Sequence, residues 1–321
     1  MSGYVIRPFS EADLPAAAAL LAERHKEHRK RHPLLRADYE DERLALVEVT
    51  AVWESESASG AVLLEGGEVT GYLLAAPKSS RQWGPNIWVE AAGHAVREPE
   101  HIRDLYGAAA ATWVADGRTA HYVLAPDDAE LIDAWFRLGF GSQHAHAIQP
   151  APDTPFRPPS DLVVRRAVRD DVAVLAELDL ALPRHQAQSP VFSAGEVPTL
   201  QEALADWEES IDDPDYATFV AEYNGRVIGS SVGCSLEKSS AHSGLARPDN
   251  AGFLGFAAVL PWARGNGGGR ALGEAVLQWS ADTGYTSVVT DWRVTNLLSS
   301  RTWPRLGFRQ TFHRLHRRIG Y

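Results

Sequence analysis

Three stretches in the first half of the chain share their order of apolar and polar positions with three in the second. Val5-Ile6-Arg7-Pro8-Phe9-Ser10-Glu11-Ala12-Asp13-Leu14 corresponds to Val163-Val164-Arg165-Arg166-Ala167-Val168-Arg169-Asp170-Asp171-Val172. Each pattern predicts a short strand, a turn and then an Ala/Leu-rich helix, and Ser10 with Asp13 resembles a capping box. Ala61 to Gly71 corresponds to Phe219 to Gly229; both predict hairpins, with Gly66-Gly67 and Asn224-Gly225 supplying the positive φ that two-residue turns need. Trp135-Phe136-Arg137-Leu138-Gly139-Phe140 corresponds to Trp303-Pro304-Arg305-Leu306-Gly307-Phe308. Three matches in one order predict a duplication. Between the copies, residues 149–159 hold five prolines, which suit an extended spacer and neither a helix nor a central strand. The expected division is a domain at 1–150, a proline-rich linker at 151–161 and a domain at 162–321.

In the second copy the apolar run Gly252 to Leu260 predicts a strand, and Ala271 to Trp279, with Leu272, Ala275, Val276 and Trp279 at helical spacing, predicts an amphipathic helix. Between them stands Arg264-Gly265-Asn266-Gly267-Gly268-Gly269-Arg270. Strand, glycine loop and helix together aim several backbone N–H groups and a helix N-terminus at an anion. Glycines permit positive φ and a close approach, and Arg264 and Arg270 add positive charge. The segment reads as a pyrophosphate cradle. It lacks the Gly-Lys-Ser/Thr ending of a Walker loop, and it sits too late in its domain for a dinucleotide fingerprint.

Composition narrows the partners. A formal net charge of -11 disfavours nucleic acid and anionic membranes and favours cationic small molecules such as amines. The single cysteine, Cys234, excludes an intrachain disulfide or a cysteine-based metal site and reads as a buried structural thiol. No apolar run reaches the roughly 20 residues of a membrane helix, and the start lacks a leader pattern. A cytoplasmic protein, monomer or homodimer, with no metal is expected.

These residues resemble the GNAT superfamily of acyl-CoA-dependent N-acyltransferases. Its Arg/Gln-x-x-Gly-x-Gly/Ala motif is met by Arg264, Gly267 and Gly269 after Val259 and Pro261, and its later signature by Asn296, Ser299, Trp303 and Leu306-Gly307-Phe308. The resemblance covers residues 4–150 and 162–319. It implies an α/β fold of two GNAT-like domains, each a mixed β-sheet that splays open between its fourth and fifth strands and is flanked by helices. It further implies that Ala257, Ala258 and Val259 pair with a pantetheine arm, that residues 264–270 hold the pyrophosphate, and that Asn296, Ser299 and Trp303 flank the thioester. Acetyl-CoA would be the cosubstrate, and an amine would attack it directly. In the first copy Arg97-Glu98-Pro99-Glu100-His101-Ile102 stands in place of the cradle. Two carboxylates and a proline there oppose a pyrophosphate, so CoA is expected in the second copy alone.

The resemblance also implies a tyrosine acid where this chain has Trp303, whose indole cannot deliver a proton; aromatic packing is the reading for Trp303 and Trp135. The first candidate for a base is Asp291, which strand alternation puts on one face with Arg293, where the pair could bind an acceptor's amine and carboxylate. Glu222 and His242 are the further candidates, with Asp249 beside the loop of His242. Phe253 fills the neighbourhood where several related families keep a glutamate. His25, His28 and His32 fall on neighbouring helical turns as a metal site might, but the basic run around them reads as a solvated face. His144 and His146 alternate on a predicted strand. The function expected is N-acetylation of a small-molecule primary amine. The alternatives are a non-catalytic acyl-CoA-binding regulator and an acetyltransferase acting on proteins.

Overall fold

The structure, a computed structural model, describes residues 3 to 320 apart from Phe156, Ala194, Glu196, Ser240, Ala241 and Ser243. It divides into two compact units: Met1–Ala145 with Ser243–Pro248 and Gln310–Tyr321, and His146–His242 with Asp249–Arg309. Each unit is built mainly from one half of the sequence and takes a short piece from the other.

The first half runs β1 (Tyr4–Pro8), α1 (Leu14–Arg31), α2 (Glu42–Trp53), β2 (Ser59–Glu65), β3 (Glu68–Ala75), β4 (Asn86–Val89), β5 (His94–Val96), α3 (His101–Ala115), β6 (Ala120–Pro126), α4 (Ala129–Arg137) and β7 (Gly141–Pro150). In the first unit β1, β2, β3 and β5 form an antiparallel sheet in that order. β4 pairs in parallel with β6, and its Trp88 bridges to Ala76, the residue that follows β3. The chain's last strand, introduced below, pairs antiparallel with β6 in this unit. Strand alternation sorts the core. Val62, Tyr72 and Leu74 face α1 and α2, whereas Leu63 and Leu73 face α3 and α4.

The second half runs β8 (Leu162–Arg166), α5 (Val172–Gln186), α6 (Leu200–Ser210), β9 (Tyr216–Tyr223), β10 (Arg226–Ser235), β11 (Ala251–Val259), α7 (Gly268–Thr283), β12 (Ser287–Arg293), α8 (Leu297–Arg305) and β13 (Arg309–Arg318). β8 to β11 are successive antiparallel neighbours, and β11 pairs in parallel with β12. Residues 146–150 of β7 complete this unit's sheet beside β12. The fold is mixed α/β, as expected.

The duplication extends to single bonds. Arg7 holds Asp13 by two hydrogen bonds of 2.7 and 2.6 Å, and Arg165 holds Asp171 by two of 2.7 and 2.9 Å. These guanidinium forks keep both nearly buried carboxyls below the usual carboxylate range. Asp13 also accepts from Ser10 at the expected capping box. Both hairpins turn as the sequence predicts, with φ of 58° and 90° at Gly66 and Gly67, and 51° and 71° at Asn224 and Gly225. The last helix of each copy is capped alike, by Asp128 on the Leu131 N–H and by Asn296 on the Leu298 N–H. Cys234 is buried, and burial pushes its thiol up to about 11.

The basic run on α1 corrects the reading of a solvated face. His25, His28 and His32 are buried, because spacings of three and seven keep one face of a helix turned inward. His25 Nε2 lies 2.7 Å from the Arg36 carbonyl and His28 Nε2 2.8 Å from that of Thr311. Lys30 and Arg31 face outward and pair with Glu27 and Asp128, and the half-buried Arg29 pairs with Glu40. Among the described residues no group of three or more His, Cys, Asp or Glu could hold a metal ion. Nor is any described helix long and apolar enough to cross a membrane.

Burial lowers His25 to about 4, His28 to about 2 and His94 to about 3, all well below the ordinary histidine value. In the unfolded chain these groups bind protons below pH ~6.5, so stability falls as pH drops from there toward 4. At pH 5 each histidine is expected to cost about 2 kcal/mol relative to pH 7.5. Urea midpoints at the two pH values check this, and His25→Gln should make the drop smaller. An equal drop in that variant would show that His25 does not drive it.

Candidate functional site

β11 and β12 part company inside the second unit. Their paired positions run from Ala251↔Ser287 to Leu254↔Thr290 and stop there, yet β11 continues to Val259 and β12 to Arg293. At the point of parting, the β10–β11 register skips Gly255 (Val232 faces Phe256 and Gly233 faces Leu254), a bulge that turns the strand. From Gly255 to Val259, β11 therefore has β10 on one edge and, among the described residues, no strand on the other. An open edge offers backbone donors and acceptors to any extended amide-bearing ligand.

A cavity of about 480 Å³ lies along that edge. Ala257, Ala258 and Val259 line it, with Arg264, Gly265, Gly267, Gly268, Gly269 and Arg270 at one end. Gly267 caps α7 with φ +80°, and Gly265 lies at +93°. Both conformations favour glycine. The first-turn N–H groups of α7 have no helical partners, and they carry the positive end of its dipole. Arg264, Arg270 and Arg305 add cations to the wall. Asn296, Ser299 and Trp303 stand on α8 and its cap. Of the residues expected to hold a cofactor, Asn266 alone is absent from this wall.

A second cavity of about 80 Å³ adjoins the first and shares Leu182, Ala257, Asn296, Ser299 and Trp303 with it. Asp291 and Arg293 both line it, with Trp292 between them on the same wall. Behind Asp291 sits His242, its side chain fully buried, with Nε2 3.9 Å from the Asp291 carboxylate and Nδ1 3.0 Å from Ser239 Oγ. The His242 ring packs against His146 at 4.7 Å and Phe253 at 5.3 Å. His242 thus touches the cavity through Asp291 and lines neither space itself.

Glu222 is not brought to the site. It lies on β9, where Arg165 binds its carboxylate at 2.6 Å, because the Arg165 fork that grips Asp171 has a donor left over. Trp303 is nearly buried and contacts Phe308, and Trp135 packs with Phe140 and Tyr106, so both tryptophans are packing residues. The residue that sequence reasoning missed is His185, on α5, whose Nε2 lies 3.2 Å from Asn296 Oδ1 on the wall of the larger cavity. Neither a motif nor the repeat marks it; its spacing from Leu182 on one helix face is the only available signal.

In the first unit a cavity of about 350 Å³ is lined by Glu23, Arg24, Glu27 and Arg31 of α1 with Arg97, Pro99 and Asp128. Three carboxylates share that wall. Glu100, at the cap of α3, is bound by Arg103 and Arg137.

The acetyltransferase (GNAT) family matches residues 183–308, the stretch that carries the splay, the glycine loop and α8. The chain carries a GNAT-family domain. The GNAT fold also extends over the whole chain. A GCN5-related N-acetyltransferase from Sphaerobacter thermophilus shares 18% identity over 99% of this chain and 97% of its own, with a TM-score of 0.54. A glucosamine N-acetyltransferase region in a fungal multi-domain beta-N-acetylglucosaminidase shares 15% over 98% of this chain and 38% of its own, with a TM-score of 0.52. A tandem GNAT protein from the clavulanic acid pathway shares 14% over 99% of both chains, with a TM-score of 0.48. No curated protein matches the sequence significantly. The wall of the larger cavity from His185 to Leu306 therefore lies within the stretch that the acetyltransferase (GNAT) family matches.

Proposed function

We propose that this protein is an acetyl-CoA-dependent N-acetyltransferase that acts on a small primary amine, with one donor site, in the second unit. The observation that carries the reading is the meeting of two cavities at the splay. One has an anion cradle and an open strand edge; the other has a carboxylate. The residues fit the donor. Arg264, Arg270 and the N–H groups at the start of α7 suit a pyrophosphate, and the edge of Ala257 to Val259 suits the amides of a pantetheine arm. The bound thioester supplies an activated acyl carbon.

Asp291 takes a proton from the acceptor's ammonium, and Arg293 beside it binds a carboxylate where the acceptor has one. Holding both reactants in adjoining spaces makes the attack effectively unimolecular. Trp303 cannot donate a proton to sulfur, which favours a second reading, an acyl-CoA-binding protein without turnover. Release of CoA during incubation with a panel of amines separates the two readings.

The expected calorimetric stoichiometry is one acetyl-CoA per chain. Two sites would mean that the first unit, despite Glu23, Glu27 and Asp128, binds the donor as well. No binding would leave the proposal without its cosubstrate.

A further inference from the structure

Asn296 Oδ1 lies 3.1 Å from the Leu298 backbone nitrogen and 3.2 Å from His185 Nε2. The backbone N–H can only donate, so the side-chain atom facing it is the oxygen, and Nε2 must carry a hydrogen to bond the same atom. The neutral form of His185 is thereby fixed with its hydrogen on Nε2. A second proton enters and leaves at Nδ1.

His185 sits where the two cavities join. It lines the larger one; Leu182, one turn earlier on α5, borders both, as does Asn296; and Gln186 borders the smaller. An acyl carbon attacked from the side of Asp291 must release its sulfur toward the larger cavity. The other groups on that wall do not serve as proton donors. The Trp303 indole and the guanidiniums of Arg264, Arg270 and Arg305 hold their protons too tightly. The hydroxyls of Ser299 and Thr302 already donate to the carbonyls of Asn296 and Leu298.

We propose that His185 is the catalytic acid of the transfer, giving its Nδ1 proton to the departing sulfur. The assignment rests on the acetyltransferase reading above. Asp291 first takes one proton from the acceptor's ammonium and passes it to solvent; as the resulting amine nitrogen bonds to the acyl carbon, the C–S bond breaks and its electron pair leaves with sulfur. His185 protonates that sulfur, and Asp291 takes the surplus proton from the nitrogen. His185 then regains a proton from solvent and Asp291 releases one to it. The net change is ammonium plus thioester to amide, thiol and one proton. The hydrogen bond to Asn296 is kept throughout. Among the described residues the charged groups on the walls of the two cavities are Arg264, Arg270, Arg305, Arg293 and Asp291.

The test uses the full chain with His185→Gln and His185→Ala. Both variants should bind acetyl-CoA within about twofold of the wild type. kcat should fall about 100-fold, the fall of activity on the alkaline side should move out of the profile, and added imidazole should restore turnover to the alanine variant. Independently of turnover, the wild type should prefer CoA to desulfo-CoA by about tenfold more than His185→Gln does, because a cationic partner for sulfur has gone. A glutamine variant with wild-type kcat and an unchanged alkaline limb overturns the assignment. Loss of acetyl-CoA affinity in both variants overturns it too, by making His185 a binding residue. A wild-type chain that transfers no acetyl group to any amine overturns the acetyltransferase reading itself; one that transfers, beside an unimpaired variant, removes only the role of His185.

Discussion

A Gly267→Glu variant is expected to bind acetyl-CoA more than about 100-fold more weakly than the wild type. Gly267 caps α7 with φ +80°, on the wall of the larger cavity. A Cβ there would meet nothing nearer than Leu162 Cδ1 at 3.9 Å, so the loop has room for a side chain. Two effects remain. The left-handed conformation costs a branched-off side chain about 1 kcal/mol, which should lower thermal stability by only a few degrees. The carboxylate matters more. It takes up the helix N-terminus meant for a phosphate, and at 4 Å it repels one by about 4 kcal/mol at an effective dielectric of 20. That is roughly a thousandfold in affinity. Gly267→Asn, which tolerates the same φ without a charge, should bind within about tenfold of the wild type. Glu98→Gln and Glu100→Gln should leave affinity unchanged. Calorimetry on the four variants reads all of this, and full affinity in Gly267→Glu would remove the cradle from residues 264–270.

How much of this was legible depended on whether the signal was local. Gly66-Gly67, Asn224-Gly225 and the Ser10–Asp13 box are determined within a few residues, and they fold as they read. The glycine loop between β11 and α7 was legible for the same reason: glycines at positive φ and the helix behind them leave their mark in consecutive positions. The splay was reachable only through resemblance, since where β11 and β12 part depends on a bulge at Gly255 and not on either strand's pattern. The histidines of α1 were misread because a basic run looks solvated by composition. The three- and seven-residue spacing that buries His25, His28 and His32 was visible but outweighed by their neighbours. Glu222 went to Arg165, a pairing across strands that no local pattern announces. His185 was invisible because its importance comes from Asn296, 111 residues away. The exchange of end pieces between the two units is likewise a property of distant pairing. A proline-rich segment marks where one copy ends without saying in which unit the adjoining strand will pair.

Asp291→Asn is expected to lower kcat by about 100- to 1,000-fold while leaving acetyl-CoA affinity unchanged, the size and type of loss that follows removal of a general base. The geometry separates this role from the competing one, a structural ion pair. Asp291 keeps about a fifth of its side-chain surface exposed on the acceptor cavity, while His242 behind it is fully buried. Were the pair structural alone, the amide would mainly lower stability, since the neutral side chain removes the charge facing a buried imidazole at 3.9 Å. Were Asp291 the base, stability would change little and turnover would collapse. The carboxylate can accept the amine's proton, and the amide of the asparagine variant cannot. Thermal melts beside steady-state kinetics give both readouts on one preparation. Turnover near the wild-type level with a lowered melting temperature would return Asp291 to a structural role. In that event the acceptor cavity would have no carboxylate left to take the amine's proton, for Asp291 is the only acidic side chain on its wall among the described residues.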